Sequence, residues 1–181
     1  MVSRGTPKLR KEELYKLFID ALGNRVERHT AFNSPPLLVD LKHPYAQRLR
    51  VYLYNCTNPP GGRTLDEYKI QIILPGQSRG VRGSLDFSDQ RMPLLAAYAV
   101  VGDDNHDGVF ILWDSFLHND FAYSANMQVK SEAIMKALGE KVAESRRSTG
   151  EILLTARPQH LYEAIRQRVN IMLENAKEVK L

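Results

Sequence analysis

Apolar and polar residues alternate most regularly between Arg48 and Leu74. Leu49, Val51 and Leu53 alternate with Arg48, Arg50, Tyr52 and Tyr54. Further on, Tyr68, Ile70 and Ile72 alternate with Glu67, Lys69 and Gln71. A two-residue period belongs to half-buried strands. The stretch therefore predicts two strands joined as a long hairpin, with Arg48, Arg50, Lys69 and Gln71 on outward faces of neighbouring strands. The connector Asn55–Asp66 is polar and rich in Gly and Pro, and at about a dozen residues it exceeds the usual two to five of a hairpin loop.

Elsewhere the period changes. Leu14, Leu17, Phe18, Ala21 and Leu22 lie at helical spacing, which predicts a helix over Lys11–Leu22 stopped by Gly23. Pro35 and Pro36 open a short apolar strand, Leu37–Leu41. Pro75-Gly76 ends the second strand of the pair, and GQSRGVRG follows as a loop with Arg79 and Arg82. Ser84–Ser88 reads as a short strand. Pro93–Val101 reads as a buried strand, turned by GDDNHDG into its partner Val109–Trp113. A second long polar and aromatic loop then enters the strand Asn126–Lys130. Ser131 caps a helix expected over Glu132–Ala143, with Ile134, Ala137, Leu138 and Val142 as its stripe. After a polar break, Glu144–Gly150, come the strand Glu151–Thr155 and a last helix with Pro158 in its first turn.

These elements predict one α+β domain over residues 1–181, a mostly antiparallel open β-barrel flanked by N- and C-terminal helices. Residues 1–10 read as a basic flexible lead and 174–181 as a frayed tail. At 181 residues, with 43% hydrophobic and 25% charged positions, the chain has the balance of a globular protein. It shows no membrane span and no signal peptide, and its one cysteine, Cys56, allows no intrachain disulfide. The reading is cytoplasmic. A net charge of +4 suits a polyanionic partner without demanding one.

Motifs narrow the chemistry. There is no P-loop, nucleophile elbow or dinucleotide fingerprint. The histidines have no zinc spacing, and GDDNHDG lacks the order of a calcium loop, so no metal or cofactor is expected. Two constellations remain. Asp40, Glu67 and Lys69 have the outline of a PD-(D/E)xK nuclease site, in which carboxylates hold Mg²⁺ and the lysine helps activate water; an exposed ion pair explains the same residues. Against this stands a set of basic and amide side chains. Arg48, Arg50, Lys69 and Gln71 lie on strands; Asn55, Asn58 and Arg63, then Arg79 and Arg82, then His118, Asn119, Tyr123, Ser124 and Asn126 lie on loops. Arg pairs with guanine and Asn or Gln with adenine in the major groove, while Lys and Ser suit phosphates.

The segments RVYLYNCTNPPGGRTLDEYKIQIILPGQ, VFILWDSFLHNDFAYSANMQVKSEAI and GEILLTARPQHLYEAI resemble bacterial restriction-system proteins. The resemblance is to the "B-three"-like pseudobarrel, the DNA-recognition domain of some restriction endonucleases, and spans roughly residues 35–170. It implies a seven-stranded open barrel gripping double-stranded DNA with two loop arms. Asn55, Asn58 and Arg63 would read from one arm, and His118, Asn119, Ser124, Asn126, Gln128 and Lys130 from the other. The resembling pattern accepts Lys or Arg at position 69, which argues against a catalytic lysine. Such modules are usually fused to a nuclease, for which this chain has no room. The expectation is a sequence-specific DNA-binding domain of a restriction-modification system without catalysis of its own, working beside a nuclease or methyltransferase subunit. A Mg²⁺-dependent nuclease and a small-ligand or protein-interaction barrel are the alternatives.

Overall fold

The computed structural model describes residues 5–58 and 66–179. Its centre is a seven-stranded sheet: β1 (Val26–His29), β2 (Leu37–Leu41), β3 (Arg48–Asn55), β6 (Met92–Val100), β7 (Gly108–Leu112), β11 (Ile152–Ala156) and β10 (Ala143–Arg146), in that order. Every pairing is antiparallel except β3 with β6, which run parallel from Leu49 opposite Met92 to Asn55 opposite Tyr98. The edge strands β1 and β10 do not pair with each other, so the sheet is not closed into the expected barrel. Both edges are short and charged: Glu27, Arg28 and His29 on one, Glu144 and Arg146 on the other.

Both faces of the sheet are covered. On the first, α1 (Lys11–Leu22) and α3 (Leu161–Val179) set Leu14, Phe18, Ile165 and Val169 against Val39, Val51, Leu94, Phe110 and Leu154. The stripe of α1 faces inward as its spacing predicts, and α3 runs on to Val179, through most of the stretch expected to fray. On the second face lie two ribbons and a short helix. One ribbon pairs β4 (Glu67–Ile72) with β9 (Ala125–Lys130), the other pairs β5 (Gly83–Ser84) with β8 (Asp120–Phe121), and α2 covers Ser131–Lys136. Ile70, Ile72, Met127, Val129 and Ile134 pack there on Leu95, Ala97, Ile111, Trp113 and Leu153.

Several expectations are corrected here. β3 and β4 are not a hairpin. Thr57 exchanges 2.9 Å backbone hydrogen bonds with Lys69, but beyond this bridge β4 leaves the main sheet and pairs with β9. The helix expected over Glu132–Ala143 stops at Lys136, because the next amides close tight i→i−3 turns and Ala143 is already a β10 residue. The first three residues of the expected break Glu144–Gly150 are thus strand. The strand expected at Ser84–Ser88 shrinks to β5. In the basic lead Leu9 is held to β3: Asn55 accepts from the Leu9 N–H and donates to the Leu9 carbonyl, both at 2.8 Å, and Leu9 is buried.

Docking of the β4–β9 ribbon rests on apolar burial, and Ile70 is 0% exposed. Ile70→Ala is expected to lower unfolding stability by about 2–5 kcal/mol in urea titrations. A loss below about 1 kcal/mol would show a ribbon that is not packed on the sheet.

Candidate nucleic-acid interface

The β4–β9 ribbon sorts its side chains by parity. Tyr68, Ile70 and Ile72 face the sheet opposite Val129, Met127 and Ala125. The intervening pairs are Glu67 with Lys130, Lys69 with Gln128, and Gln71 with Asn126, and these stand on the other face. Gln71, Asn126, Gln128 and Lys130 are exposed. Gln71 donates through Nε2 to the Ser124 hydroxyl, which sits at a left-handed residue (φ 61°) just before β9. Lys130 Nζ lies 3.7 Å from Asp66. Six sequence-predicted residues, Lys69, Gln71, Ser124, Asn126, Gln128 and Lys130, thus share one surface.

The two predicted arms meet the ribbon at opposite ends. The connector enters β4 at Glu67, beside Lys130, while the 118–124 segment enters β9 at Ala125, opposite Ile72. Arg63 lies outside the described residues. Asn58 donates its backbone N–H to the Thr6 hydroxyl. Arg82 pairs with Asp120 at 3.3 Å beside the β5–β8 ribbon, where Asn119 is exposed and its carbonyl accepts from Leu85. Arg79 is exposed in the loop before β5, and Tyr123 is half-buried.

Other predicted positions are occupied by structural contacts. Asn55 clamps Leu9, as above. Arg50 does not stand on an outward face: it is 5% exposed, donating to the Asp86 carbonyl at 2.7 Å and paired with Asp89 at 3.3 Å. Arg48 is exposed but leans on the Asp89 carbonyl and on Asp40. His118 is drawn away from the surface, its Nε2 lying 2.7 Å from Glu151.

Asp40, Glu67 and Lys69 are not brought together. The Asp40 carboxylate is surrounded by Arg28 (2.6 Å), Arg91 (2.9 Å) and Arg48 (3.6 Å). Burial raises its pKa, but the guanidiniums of Arg28 and Arg91 outweigh this and hold it below the ordinary value. A carboxylate so compensated has little attraction left for Mg²⁺. Glu67, moreover, lines a groove with Leu153 of β11. β2 and β11 are four strand spacings apart in the sheet order, roughly 19 Å. Among the described residues no group of three or more His, Cys, Asp or Glu side chains could hold a metal ion.

A buried charge cluster went unread in the sequence. Glu151, its side chain 1% exposed, holds His118 at 2.7 Å and Arg147 at 2.8 Å, and accepts the Asp114 N–H at 3.0 Å. Asp114 accepts the Phe116 and Leu117 amides and lies 3.7 Å from Arg168, which is 0% exposed and donates to the Ile152 carbonyl at 2.5 Å. The cluster ties the His118 segment to the β10–β11 hairpin. These residues are scattered over separate segments, so only the fold reveals them. For Glu151, burial raises the pKa, but hydrogen bonds from His118, Arg147 and the Asp114 backbone prevail and leave it below the ordinary 4.5. A depressed carboxyl stabilises the fold above its unfolded-state value, and that contribution is lost as pH falls through the folded-state value. Glu151→Gln is therefore expected to cost about 1–3 kcal/mol at neutral pH by leaving its partners underpaired. In urea titrations the gap to wild type should narrow as pH falls below the ordinary 4.5; a gap independent of pH would contradict an ionised Glu151.

No curated protein and no solved structure matches the chain. No helix among the described residues is long and apolar enough to cross a membrane. A family model described as methylase-associated X1 matches residues 47–165. The match takes in β3 to β11, and with them both ribbons and all of the buried charge cluster except Arg168. The description links the chain to methylases and so to restriction-modification systems. With about two thirds of its length matched, the chain belongs to the methylase-associated X1 family.

Proposed function

We propose that this chain reads double-stranded DNA within a restriction-modification system, and that the outward face of the β4–β9 ribbon is its reading surface. The observation that carries the proposal is the register that sets Lys69 opposite Gln128 and Gln71 opposite Asn126, with Lys130 beside them. The major groove, roughly 12 Å wide, admits a two-stranded ribbon. Outward side chains on one strand repeat every roughly 6.7 Å, close to two base-pair steps of roughly 3.4 Å. Gln71, Asn126 and Gln128 carry the amides that pair with adenine, and Lys69 and Lys130 suit phosphate.

The two arms extend this surface beyond the ribbon. Asn58 continues it from the Glu67 end, on the connector whose sequence also carries Arg63; Asn119, Tyr123 and Ser124, with Arg79 and Arg82 of the β5–β8 side, continue it from the Ala125 end. In this reading the chain recognises and does not cleave, and a methyltransferase or nuclease subunit supplies the chemistry. The crowded Asp40 carboxylate gives the nuclease alternative no support.

Selection from a random duplex library is expected to enrich a defined site, with affinity falling steeply from 50 to 200 mM salt. Gln71→Ala or Gln128→Ala should relax preference at particular base pairs, by about 1–3 kcal/mol each. Lys69→Ala with Lys130→Ala should weaken all sequences alike and flatten the salt dependence. Affinity indifferent to salt, or a library recovered without enrichment, would remove the proposal.

A further inference from the structure

A groove of about 330 Å³ opens between the β4–β9 ribbon and the β10–β11 hairpin, within the size range of small-molecule sites. Val129, Ala133 and Leu153, all buried, give it an apolar floor. Glu67, Gln128 and Lys130 reach it from the ribbon, and Arg146 and Arg147 from the hairpin side. Its lining holds three cations and one carboxylate.

An apolar floor suits the face of a planar ring. A carboxylate and an amide beside it can accept from an exocyclic amine, and the amide can also donate to a ring nitrogen. Cations at the rim suit a phosphate. One wall is held in place beforehand, since Arg147 is fastened to the buried Glu151 and Arg146 donates to the Gly150 carbonyl at 3.0 Å. The larger groove beside β2, about 400 Å³, lacks this character because its one arginine, Arg50, is buried under Asp86, Ser88 and Asp89, whereas Lys130 and Arg146 are exposed.

We infer that this groove binds a single nucleotide, an amino-bearing base on the Val129–Leu153 floor and its phosphate toward Lys130 and Arg146. In the first instance the inference rests on the DNA-reading proposal: Glu67, Gln128 and Lys130 belong to both ribbon and groove, so a base swung out of a ribbon-bound duplex has only to move sideways. A free nucleotide has the same chemistry and is the other source.

Two arms separate the sources. In the first, the protein is titrated with dAMP, dCMP and thymidine monophosphate while backbone amides are followed by NMR. Shifts at Val129, Ala133, Ser145 and Leu153 are expected with dAMP or dCMP, and weaker ones with thymidine monophosphate, which lacks the amine. Ser145→Tyr, which fills the groove, should weaken binding by about tenfold or more, and Arg146→Ala, at an exposed position that threatens the fold less, should do so by about fivefold. In the second, a duplex with one mismatched 2-aminopurine is bound under anisotropy control. Its fluorescence should rise on binding to wild type and stay low with either variant. A response in both arms assigns the groove to a nucleotide taken from DNA, and a response in the first alone assigns it to a free nucleotide. Duplex binding with neither response overturns the groove and leaves the ribbon proposal standing. No duplex binding at any salt, with monophosphates still bound, overturns the ribbon proposal and leaves the groove.

Discussion

The parallel pairing of β3 with β6 is the constraint from which the rest of the arrangement follows. These two central strands are buried on both faces, with Leu49, Val51 and Leu53 of β3 on one and Tyr52 and Tyr54 of β3 with Leu95, Ala97 and Ala99 of β6 on the other. Buried strands of this kind need a layer on each side. Parallel neighbours also cannot be joined by a tight turn, so the chain must cross over between them. The crossover from Cys56 to Arg91 satisfies both demands at once. With α1 and α3 on the first face, its described part from Asp66 to Arg91 lies along the second and carries β4 and β5 with it. The candidate surface is the outer side of that covering layer.

Much of this was legible residue by residue, and little of it pair by pair. Alternation in EYKIQI gave the first ribbon strand and the face that it turns outward, and the second was read as a strand over Asn126–Lys130 without its outward face. A two-residue period says which side chains share a face but not which strand lies alongside. Chain proximity favoured β3 as the partner of β4, and the true partner, β9, lies far along the chain. β10 was hidden because AESR has no strand pattern and follows a helical stripe that the structure splits between α2 and a turn. Arg50 misled for another reason. It obeys the alternation of β3, yet the loop carrying Asp86 and Asp89 folds over it and converts an outward position into a buried one. Six of the predicted readers nevertheless converge on one surface, because parity survived the error in pairing.

The buried ions show what holds that surface in place. An arginine with no exposure is expensive to desolvate, and Arg168 has its Nε and Nη2 without hydrogen-bond partners. Burial lowers its pKa, against the pull of Asp114, Glu151 and Glu144. In exchange it joins α3 to the Ile152 carbonyl on β11 and to Asp114, whose other oxygen fixes the turn after β7. A hydrophobic residue could fill the space but could not dictate this register among three segments. The cluster is set directly behind the His118 segment and the hairpin wall.

The edges of the main sheet have a further consequence. Strand addition, the simplest way for one β-protein to join another, needs a long unpaired edge. β1 and β10 offer four residues each, punctuated by Glu27, Arg28, Glu144 and Arg146. The main sheet is thereby a poor template for strand addition. On the β4–β9 ribbon the outward residues can be exchanged without disturbing an inward neighbour or a backbone hydrogen bond. Selection can therefore rewrite the chemistry of the ribbon's outward face while the scaffold beneath it stays the same.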